Sequence, residues 1–342
     1  MTLHPNNRAF WCVVLCAPLW VWLLPSRPAA QEPSPSTYSA TQKDFDQLFN
    51  ELSNWGRWGS DDQLGAINLI TPAKRRQALA TVKDGFTVSL ARIAETEQAV
   101  DNPRPIVREM GRGRGAANPP PDIMGFSDTF FISYHGLVHT HMDSFCHRLY
   151  KGKMYNGIPV TAVNETACTK GSVFSFRNGI LTRAVLIDIP RLKGVEYLEP
   201  GTRIMPEDLD AWVKQARIKV EPGDAVFIRT GRWARRDAKG PWNVSQLAGL
   251  YMTCAKWLKQ RDVAILGSDG AQDVHPSGVE GVTEPIHALV LASMGMPIFD
   301  NLDLEAVAKE AANRSRWEFL VTAAPVPVPG ETGSVLNPIA TF

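Results

Sequence analysis

Four of the seven histidines in this 342-residue chain lie within thirteen residues, at positions 135, 139, 141 and 147, and Asp143 lies among them. Imidazole nitrogens and carboxylate oxygens are the ligands that zinc and similar divalent metals prefer. A lone histidine is more often a structural residue, but a cluster this dense predicts a metal centre. The short zinc signatures H-E-x-x-H and paired C-x-x-C are absent, so the ligand set follows another pattern.

The elements that must position these side chains are predicted from composition. Residues 129–134 form a β-branched and aromatic run, which is typical of a strand. Successive side chains of a strand point to opposite faces, so a strand continuing through the window would place His139, His141 and Asp143 on one face. The sequence therefore predicts three ligand-type side chains pointing the same way.

A known family matches this window. Thr140, His141, Asp143 and His147 fit the core T-H-x-D-x-x-x-H of the metal-dependent cyclase-like hydrolases, the family of bacterial kynurenine formamidase and isatin hydrolase. The chain also resembles the longer bacterial members over four other segments. These are residues 54–75, 151–157, 284–305 and 332–340.

The chain departs from the fuller family pattern, H-x-G-T-H-x-D-x-x-x-H, at two positions. Leu137 stands where the first ligand histidine is expected, and His139 replaces the glycine. Either His135 or His139 must then supply the missing ligand. Gly136 permits a bulge that brings His135 inward, whereas His139 needs no distortion. A similar His-Gly start in the larger members favours His135.

The resemblance also implies two ligands far downstream. His287 and Asp300 match the family's distant histidine and acidic residue, although the family usually has glutamate at the second position. Taken without the family, His287 is a core residue of an apolar helical stretch, 285–294, and Asp300 is a turn or N-cap residue before a helix. Both interpretations remain open at this stage.

The resemblance implies a metal-dependent hydrolase that cleaves a small amide, cyclic amide or lactone with metal-activated water. His147 is expected to carry protons to the leaving nitrogen or oxygen. The expected cofactor is Zn²⁺ or Mn²⁺. The alternative is an exported metal- or ligand-binding protein without turnover, because a rearranged ligand shell binds metal without activating water. The expected metal ligands are His135, His141, Asp143, His287 and Asp300.

A third hypothesis uses a cysteine. Cys146, Cys168 and Cys254 lie beyond the N-terminal segment, and their odd number and wide spacing do not predict a disulfide framework. Cys146 adjoins His147 and is either a catalytic thiol or, as we expect, a buried thiol or pocket wall.

Candidate residues for substrate recognition are aromatic or cationic. Each has a structural alternative, since scattered aromatic residues usually belong to the core and arginines usually form ion pairs. The aromatic candidates are Trp55, Trp58, Phe126, Phe131 and Trp233, and the candidates for binding a substrate carboxylate are Arg229 and Arg232.

Composition limits the partners. A formal charge of +1 and a hydrophobic content of 44% predict a soluble enzyme-sized protein without electrostatic attraction to nucleic acid or anionic membranes. A small-molecule substrate is what the family resemblance implies. No linker or charge block divides the chain after residue 50, so residues 51–342 are expected to form one catalytic domain.

The N-terminus resembles a secretory signal. Arg8 precedes an apolar run over residues 9–24, and residues 25–30 resemble a cleavage region. We expect residues 1–30 to be the signal peptide and residues 31–50 to be a disordered or loosely ordered lead-in. The protein would then be periplasmic or extracellular, without stable membrane association after cleavage. Retention of the run as an anchor is the alternative.

The order of predicted elements favours an α/β fold, because helices alternate with strands. The resemblance implies the layered β/β/α cyclase-like (swivelling) fold, assembled as a homodimer or homotetramer. Residues 102–125 are expected to form a binding or lid loop. The predicted strands are 86–91, 184–189, 225–230, 263–267 and 319–323, and the predicted helices are 71–82, 206–216 and 245–260.

Overall fold

The structure is a computed structural model, and it describes residues 40–112 and 125–342. The expected signal peptide, the lead-in up to residue 39 and residues 113–124 of the expected loop lie outside the described residues. Within the described part of the chain, no helix is both long and apolar enough to cross a membrane.

The last part of the predicted lead-in is a helix. Gln42–Leu52 forms α1. Thr41 caps it, since its hydroxyl accepts the Asp44 N–H at 3.2 Å while the Asp44 carboxylate accepts the Thr41 N–H at 2.8 Å. Phe45, Phe49 and Leu52 are buried. The sequence interpretation missed both the reciprocal cap and this apolar stripe, so the prediction of loose order was wrong from residue 42 onward.

A curled mixed sheet forms the centre of the fold. In the described residues it has nine strands: β1 Thr87–Ser89, β4 His141–Asp143, β5 Ile180–Asp188, β7 Ala225–Arg229, β9 Ile265–Ser268, β10 Ile298–Asp300, β11 Glu318–Ala323, β12 Gly333–Val335 and β13 Ile339–Thr341. Their order in the sheet is β1–β13–β11–β5–β7–β9–β10–β4–β12. The segment from β5 to β10 is parallel, whereas β4 runs antiparallel to β10.

Two short pairs of strands lie outside this sheet. Val107–Arg112 (β2) pairs with Phe126–Phe131 (β3) in an antiparallel hairpin, and Arg203–Ile204 (β6) pairs with Gly249–Leu250 (β8). The hairpin corrects the expectation that residues 102–125 form a loop throughout. It also shows that the strand predicted at residues 129–134 ends at Phe131 and does not continue into the histidine window.

Helices cover the sheet and connect its parallel strands. Thr71 caps α2 through its hydroxyl, which accepts the Lys74 N–H at 3.1 Å, so the predicted start is confirmed. The helix predicted at residues 245–260 begins only at Cys254, because Gly249 and Leu250 pair as a strand. The remaining helices are α2 Pro72–Leu79, α3 Ile189–Lys193, α4 Pro206–Ala216, α5 Arg232–Lys239, α6 Cys254–Gln260, α7 Pro285–His287, which continues as a π-helix over Ala288–Ser293, and α8 Glu305–Arg314.

The core lies on both faces of the parallel strands. Consecutive residues of β5, from Ala184 to Ile187, have no exposed surface, which is expected for a strand covered on both sides. All five strands predicted in the α/β part are present, with ends shifted by up to four residues. This rigid sheet carries β4 and β10 side by side and so fixes the position of the histidine window.

Candidate metal centre

The pairing of β4 with β10 joins two distant parts of the sequence. In this register Asp300 lies opposite His141, and Ile298 lies opposite Asp143. His141 and Asp143 are two residues apart in a strand, so their side chains share one face. Asp300 is adjacent to them on the neighbouring strand. Three of the predicted ligands therefore lie on one patch of the sheet.

His141 presents one ring nitrogen to this patch. Its Nδ1 atom lies 2.8 Å from the carbonyl oxygen of His139, which fixes the ring by hydrogen bonding. Its Nε2 atom lies 3.3 Å from Asp143 Oδ1 and 3.8 Å from Asp300 Oδ2. The imidazole is thus oriented with Nε2 toward both carboxylates.

His287 approaches the same carboxylates from α7. Its Nε2 atom lies 3.2 Å from Asp300 Oδ2 and 3.8 Å from Asp143 Oδ2. The other ring nitrogen, Nδ1, lies 2.6 Å from Asp273 Oδ2. His287 therefore lies beside the other candidate ligands and is not only a residue of the apolar helical core.

Asp273 and Gln272 are site residues that the sequence interpretation missed. They lie in the loop after β9, and the Nε2 group of Gln272 donates to Asp300 Oδ1 at 2.9 Å. Asp273 also accepts the backbone N–H groups of Ile286 and His287, at 2.6 and 3.2 Å. Their position in the sequence could have identified them, because they follow just beyond the carboxyl end of a parallel strand, where α/β folds usually place their binding sites.

Of the two candidates for the upstream ligand, the structure brings His135 to the cluster. Its Nδ1 atom lies 3.0 Å from Asp143 Oδ1, and its Nε2 atom lies 2.7 Å from the hydroxyl of Thr332. His139 precedes β4, which begins at His141, and its side chain belongs to neither group of potential ligands. The expectation that His139 shares a strand face with His141 was wrong, because the strand starts too late.

His147 lies at the wall of the site in a short 3-10 turn, Phe145–His147. Its Nε2 atom lies 3.6 Å from Asp143 Oδ2, and its ring stacks on that of His135 with centroids 4.0 Å apart. It is therefore near enough to exchange a proton with a reactant in the site, or to act as a further ligand.

The donor set fits a divalent cation. Asp143 is completely buried, and its Oδ1 atom faces ring nitrogens of His135 and His141 at 3.0 and 3.3 Å, without an aligned hydrogen bond to either carboxylate oxygen among the described residues. An ionised carboxylate in this state is costly unless a cation compensates it. Asp143 belongs to two overlapping groups whose ligand atoms all lie within 4.8 Å of one another. These groups are His135, Asp143 and His147, and His141, Asp143 and Asp300.

The surroundings of His287 and His147 shift the pKa values of these two histidines in opposite directions. Burial opposes protonation of His287, but Asp300 and Asp273 outweigh it and raise the pKa of His287 to about 10. Burial lowers the pKa of His147 to about 3, with Asp143 opposing the shift. Burial also disfavours ionised Asp143, yet His141, His135 and His147 hold the pKa of Asp143 well below its usual range. His147 is thus neutral at pH 7, whereas His287 is protonated.

A cavity of about 240 Å³ opens above the cluster. Its inner wall contains His141, His287 and Asp300, and Leu137 lines it without offering a ligand atom. Its outer wall contains Arg148 and Glu284, which form an ion pair, together with His275. The cavity therefore gives a small polar reactant access to the ligand patch.

None of the residues predicted to recognise the substrate lines this cavity. Arg229 pairs with Asp188 at 2.9 Å and Glu305 at 2.6 Å, so it is a structural ion-pair residue. Arg232 is buried and donates to Asn301 and to the Leu137 carbonyl, which braces the loop before β4. The five aromatic candidates are also outside the cavity lining: Trp55, Trp58 and Trp233 pack in or against the core, and Phe126 and Phe131 are exposed on β3.

The cysteine prediction needs correction. Cys146 and Cys168 form a disulfide, although their number and spacing in the sequence did not predict one. The fold brings together two loops that are 22 residues apart, which spacing alone does not reveal. Cys146 is therefore neither a free buried thiol nor, in this state, a nucleophile. Cys254 is buried and free.

The fold and the histidine–aspartate patch define a class of protein, the cyclase-like α/β proteins. The sequence profile of the family Cyclase, described as "Putative cyclase", matches residues 98–272, just over half of the chain. A crystal structure described as a novel cyclase has 30% sequence identity and a TM-score of 0.78, and the match covers 85% of this chain and 100% of that one. The chain belongs to the cyclase family.

More distant structures share the fold. Isatin hydrolase A from Ralstonia solanacearum has 17% identity and a TM-score of 0.51, over 77% of this chain and 93% of its own. Isatin hydrolase A from Labrenzia aggregata, bound to benzyl benzoate, has 17% identity and a TM-score of 0.53, over 77% and 94%. A search of curated protein sequences found no significant match.

Proposed function

We propose that this protein is a metal-dependent hydrolase of a small amide, cyclic amide or lactone. The observation that carries the proposal is the Asp143 carboxylate, which is completely buried behind the histidines that line a small cavity. It faces ring nitrogens of His135 and His141 at 3.0 and 3.3 Å without an aligned hydrogen bond among the described residues. Such a carboxylate is matched by a divalent cation, Zn²⁺ or Mn²⁺. The proposed ligands are His135, His141, Asp143, His287 and Asp300.

The bound ion would supply a Lewis acid that polarises a carbonyl group and lowers the pKa of water toward about 7. The chain's own residues orient this chemistry. Asp273 holds the Nδ1 side of His287, and Gln272 holds one oxygen of Asp300, so both ligands keep their free atom toward the cavity.

His147 is the proposed proton carrier. Burial keeps the imidazole neutral at pH 7, so a ring nitrogen is free to hydrogen-bond the attacking water. The Asp143 carboxylate, 3.6 Å away, opposes the lowering of the pKa and stabilises the imidazolium that forms when the proton is taken up. The His147 side chain is 21% exposed and lines the cavity, so it can pass that proton to the leaving nitrogen or oxygen. Acceptance and donation by one group at one position complete the hydrolysis without another acid.

Two further observations support the substrate class. The chain shares its fold with proteins named isatin hydrolase, and isatin is a cyclic amide. The cavity of about 240 Å³ also holds only the reacting group of a substrate and a water molecule or two, not a polymer.

The test combines metal content with turnover. Purified protein is expected to contain a divalent metal and to hydrolyse some members of a panel of small amides, imides and lactones that includes isatin and N-formylkynurenine. A chelator should abolish this activity, and Zn²⁺ or Mn²⁺ should restore it. Stoichiometric metal without turnover would instead support a binding protein. Chelator resistance with sensitivity to thiol reagents would support a cysteine-dependent hydrolase.

We also propose that the protein is exported and assembles as a homodimer or homotetramer. The disulfide supports export, because such bonds persist in oxidising compartments. Cell fractionation with sequencing of the mature N-terminus tests the first point. Light scattering of the purified protein tests the second, and a monomeric mass would contradict it.

A further inference from the structure

The cavity above the ligand patch is small for a complete substrate site. Its volume of about 240 Å³ lies below the roughly 300–1,000 Å³ of most small-molecule sites. Its walls are mostly charged or imidazole side chains, so it suits the reacting carbonyl group and not an apolar substituent. A substrate larger than its reacting group must therefore extend out of this cavity.

A second cleft adjoins the first. It has a volume of about 460 Å³, and His275 and Glu284 line both spaces. Apart from Ser245, the rest of its wall comes from residues between these two in the sequence, with Pro276, Val279 and Val282 as the apolar part. A molecule whose reacting group lies at the ligand patch can therefore continue past His275 into an apolar cleft.

Internal contacts hold this wall in place. The Ser277 hydroxyl donates to the Val282 carbonyl at 2.6 Å, and Val279 forms a β-bridge with Val282. Val279 also forms a bridge with Ala40, which ties the segment to the chain two residues before α1. A wall fixed in this way does not need ordering when a ligand binds, which favours affinity.

His275 marks the junction of the two spaces. Its Nε2 atom is buried and has no hydrogen-bond partner among the described residues, while Nδ1 lies 3.5 Å from the Val244 carbonyl. The His275 side chain as a whole lines both spaces, so a polar atom of a molecule that spans them lies beside the imidazole. The junction thus offers a polar contact between a charged inner space and an apolar outer one.

We propose that the cleft of Pro276, Val279 and Val282 binds an apolar substituent of the substrate, and that the substrates are amphipathic carbonyl compounds. The alkyl or aryl group lies in the cleft, a polar atom beside the carbonyl meets His275, and the carbonyl faces the ligand patch. This inference rests on the proposed hydrolase function, because that function places the reacting carbonyl.

The test uses binding, so that it does not depend on turnover. Straight-chain alkanoates from butanoate to decanoate are titrated by calorimetry into the metal-loaded full-length protein. Each methylene group that enters the cleft is expected to tighten binding about fourfold, since burial of one CH₂ is worth about 0.8 kcal/mol. Affinity that does not change with chain length, or no binding at any length, would overturn the inference.

Two variants locate the effect. Val282→Asp places a charge in the apolar wall, and Thr283→Trp fills the cleft; both should flatten the dependence on chain length. Val195→Asp is the matched control, because Val195 is exposed and lines neither space, so it should retain the wild-type dependence. If affinity depends on alkanoate chain length equally in all three variants, the alkyl chain binds elsewhere, which would contradict the proposal.

Separate outcomes distinguish this inference from the function on which it rests. Hydrolysis of small amides or lactones combined with chain-length-independent alkanoate binding would refute the cleft and leave the hydrolase function intact. Chain-length-dependent binding without any hydrolysis would support the cleft and refute the function. A change in molecular mass on Val282→Asp would show that a second copy of the chain covers the cleft, which would also overturn the inference.

Discussion

The Nδ1 atom of His287 lies 2.6 Å from Asp273 Oδ2, while Nε2 of the same ring faces Asp300 at 3.2 Å. This arrangement sets both the tautomer and the direction of the imidazole. A carboxylate behind a ligand histidine also increases its basicity, so it strengthens metal binding without touching the metal. Asp273 is therefore a positioning residue of the proposed centre.

The substitution Asp273→Asn is expected to weaken metal binding by about 10–100-fold, the usual effect of removing such a partner. The amide oxygen of the asparagine can still accept the Ile286 N–H, so this hydrogen bond to the backbone is retained. Competition with a metallochromic chelator measures the dissociation constant. Asp237→Asn is the control, because the Asp237 side chain is 67% exposed on the surface. Unchanged affinity in the Asp273 variant would remove it from the site.

His147→Ala separates a proton carrier from a ligand. As a proton carrier, His147 contributes about 10²–10⁴-fold to kcat, so the variant should lose that factor and retain its metal. As a ligand, it would lose metal together with activity. Metal content by mass spectrometry and kcat on the best panel substrate are measured on the same preparation. His139→Ala is the matched control, since that buried imidazole belongs to neither ligand group. Full activity in the His147 variant would reject the proposed mechanism.

Metal binding should release protons and should tighten as the pH rises. The pKa of His287 is raised to about 10 in the metal-free site, so this imidazole is protonated at pH 7 and must lose its proton to bind a metal. Calorimetry in two buffers of different ionisation enthalpy should report the release of at least one proton per ion at pH 7. An enthalpy that is independent of the buffer would contradict this assignment.

The raised pKa of His287 also determines how the stability of the metal-free protein changes with pH. A folded-state pKa above the ordinary value of about 6.5 means that charged His287, held by Asp300 and Asp273, stabilises the fold fully below pH 6.5. That contribution is lost as the pH rises through about 10. Metal-free protein should therefore lose stability between these pH values in chemical unfolding, and His287→Gln should lose less over the same range.

The parts of the site that are close in sequence were predictable. His141 and Asp143 are two residues apart in β4, so strand geometry alone places them on one face. His287 and Asp300 became predictable only through the family pattern, because their approach depends on the pairing of β10 with β4. Asp273 and Gln272 were missed, since neither periodicity nor the motif marks a residue that acts by holding another ligand.

The errors in the fold have similar causes. Strands β5, β7 and β9 are buried, so their residues are mostly hydrophobic and the strands can be recognised from composition. Their ends were predicted to within four residues. The end of β3 and the late start of α6 depend on which partner strand is present, and Gly249–Leu250 pairs with Arg203–Ile204 instead of joining the helix. Pairing between distant segments is a tertiary effect that local propensity does not contain.

The Cys146–Cys168 disulfide is expected to stabilise the fold around His147, the proposed proton carrier. Closing a loop of 22 residues removes conformational entropy from the unfolded chain and is worth about 3 kcal/mol. The double variant Cys146→Ser, Cys168→Ser should therefore unfold at lower denaturant concentration, by about that free energy. Because Cys146 adjoins His147, the double variant should also have a lower kcat. The fold-decrease in kcat should exceed any fold-increase in KM.

Dithiothreitol provides the matching control. It should destabilise the wild type and increase its mass by two hydrogens, which marks one reduced disulfide. It should leave the stability of the double variant unchanged, because that chain keeps only Cys254 beyond the N-terminal segment. Equal stability of wild type and variant under oxidising conditions would show that the bond contributes nothing. Loss of stability with full retention of kcat would show that the disulfide holds the loops without positioning His147.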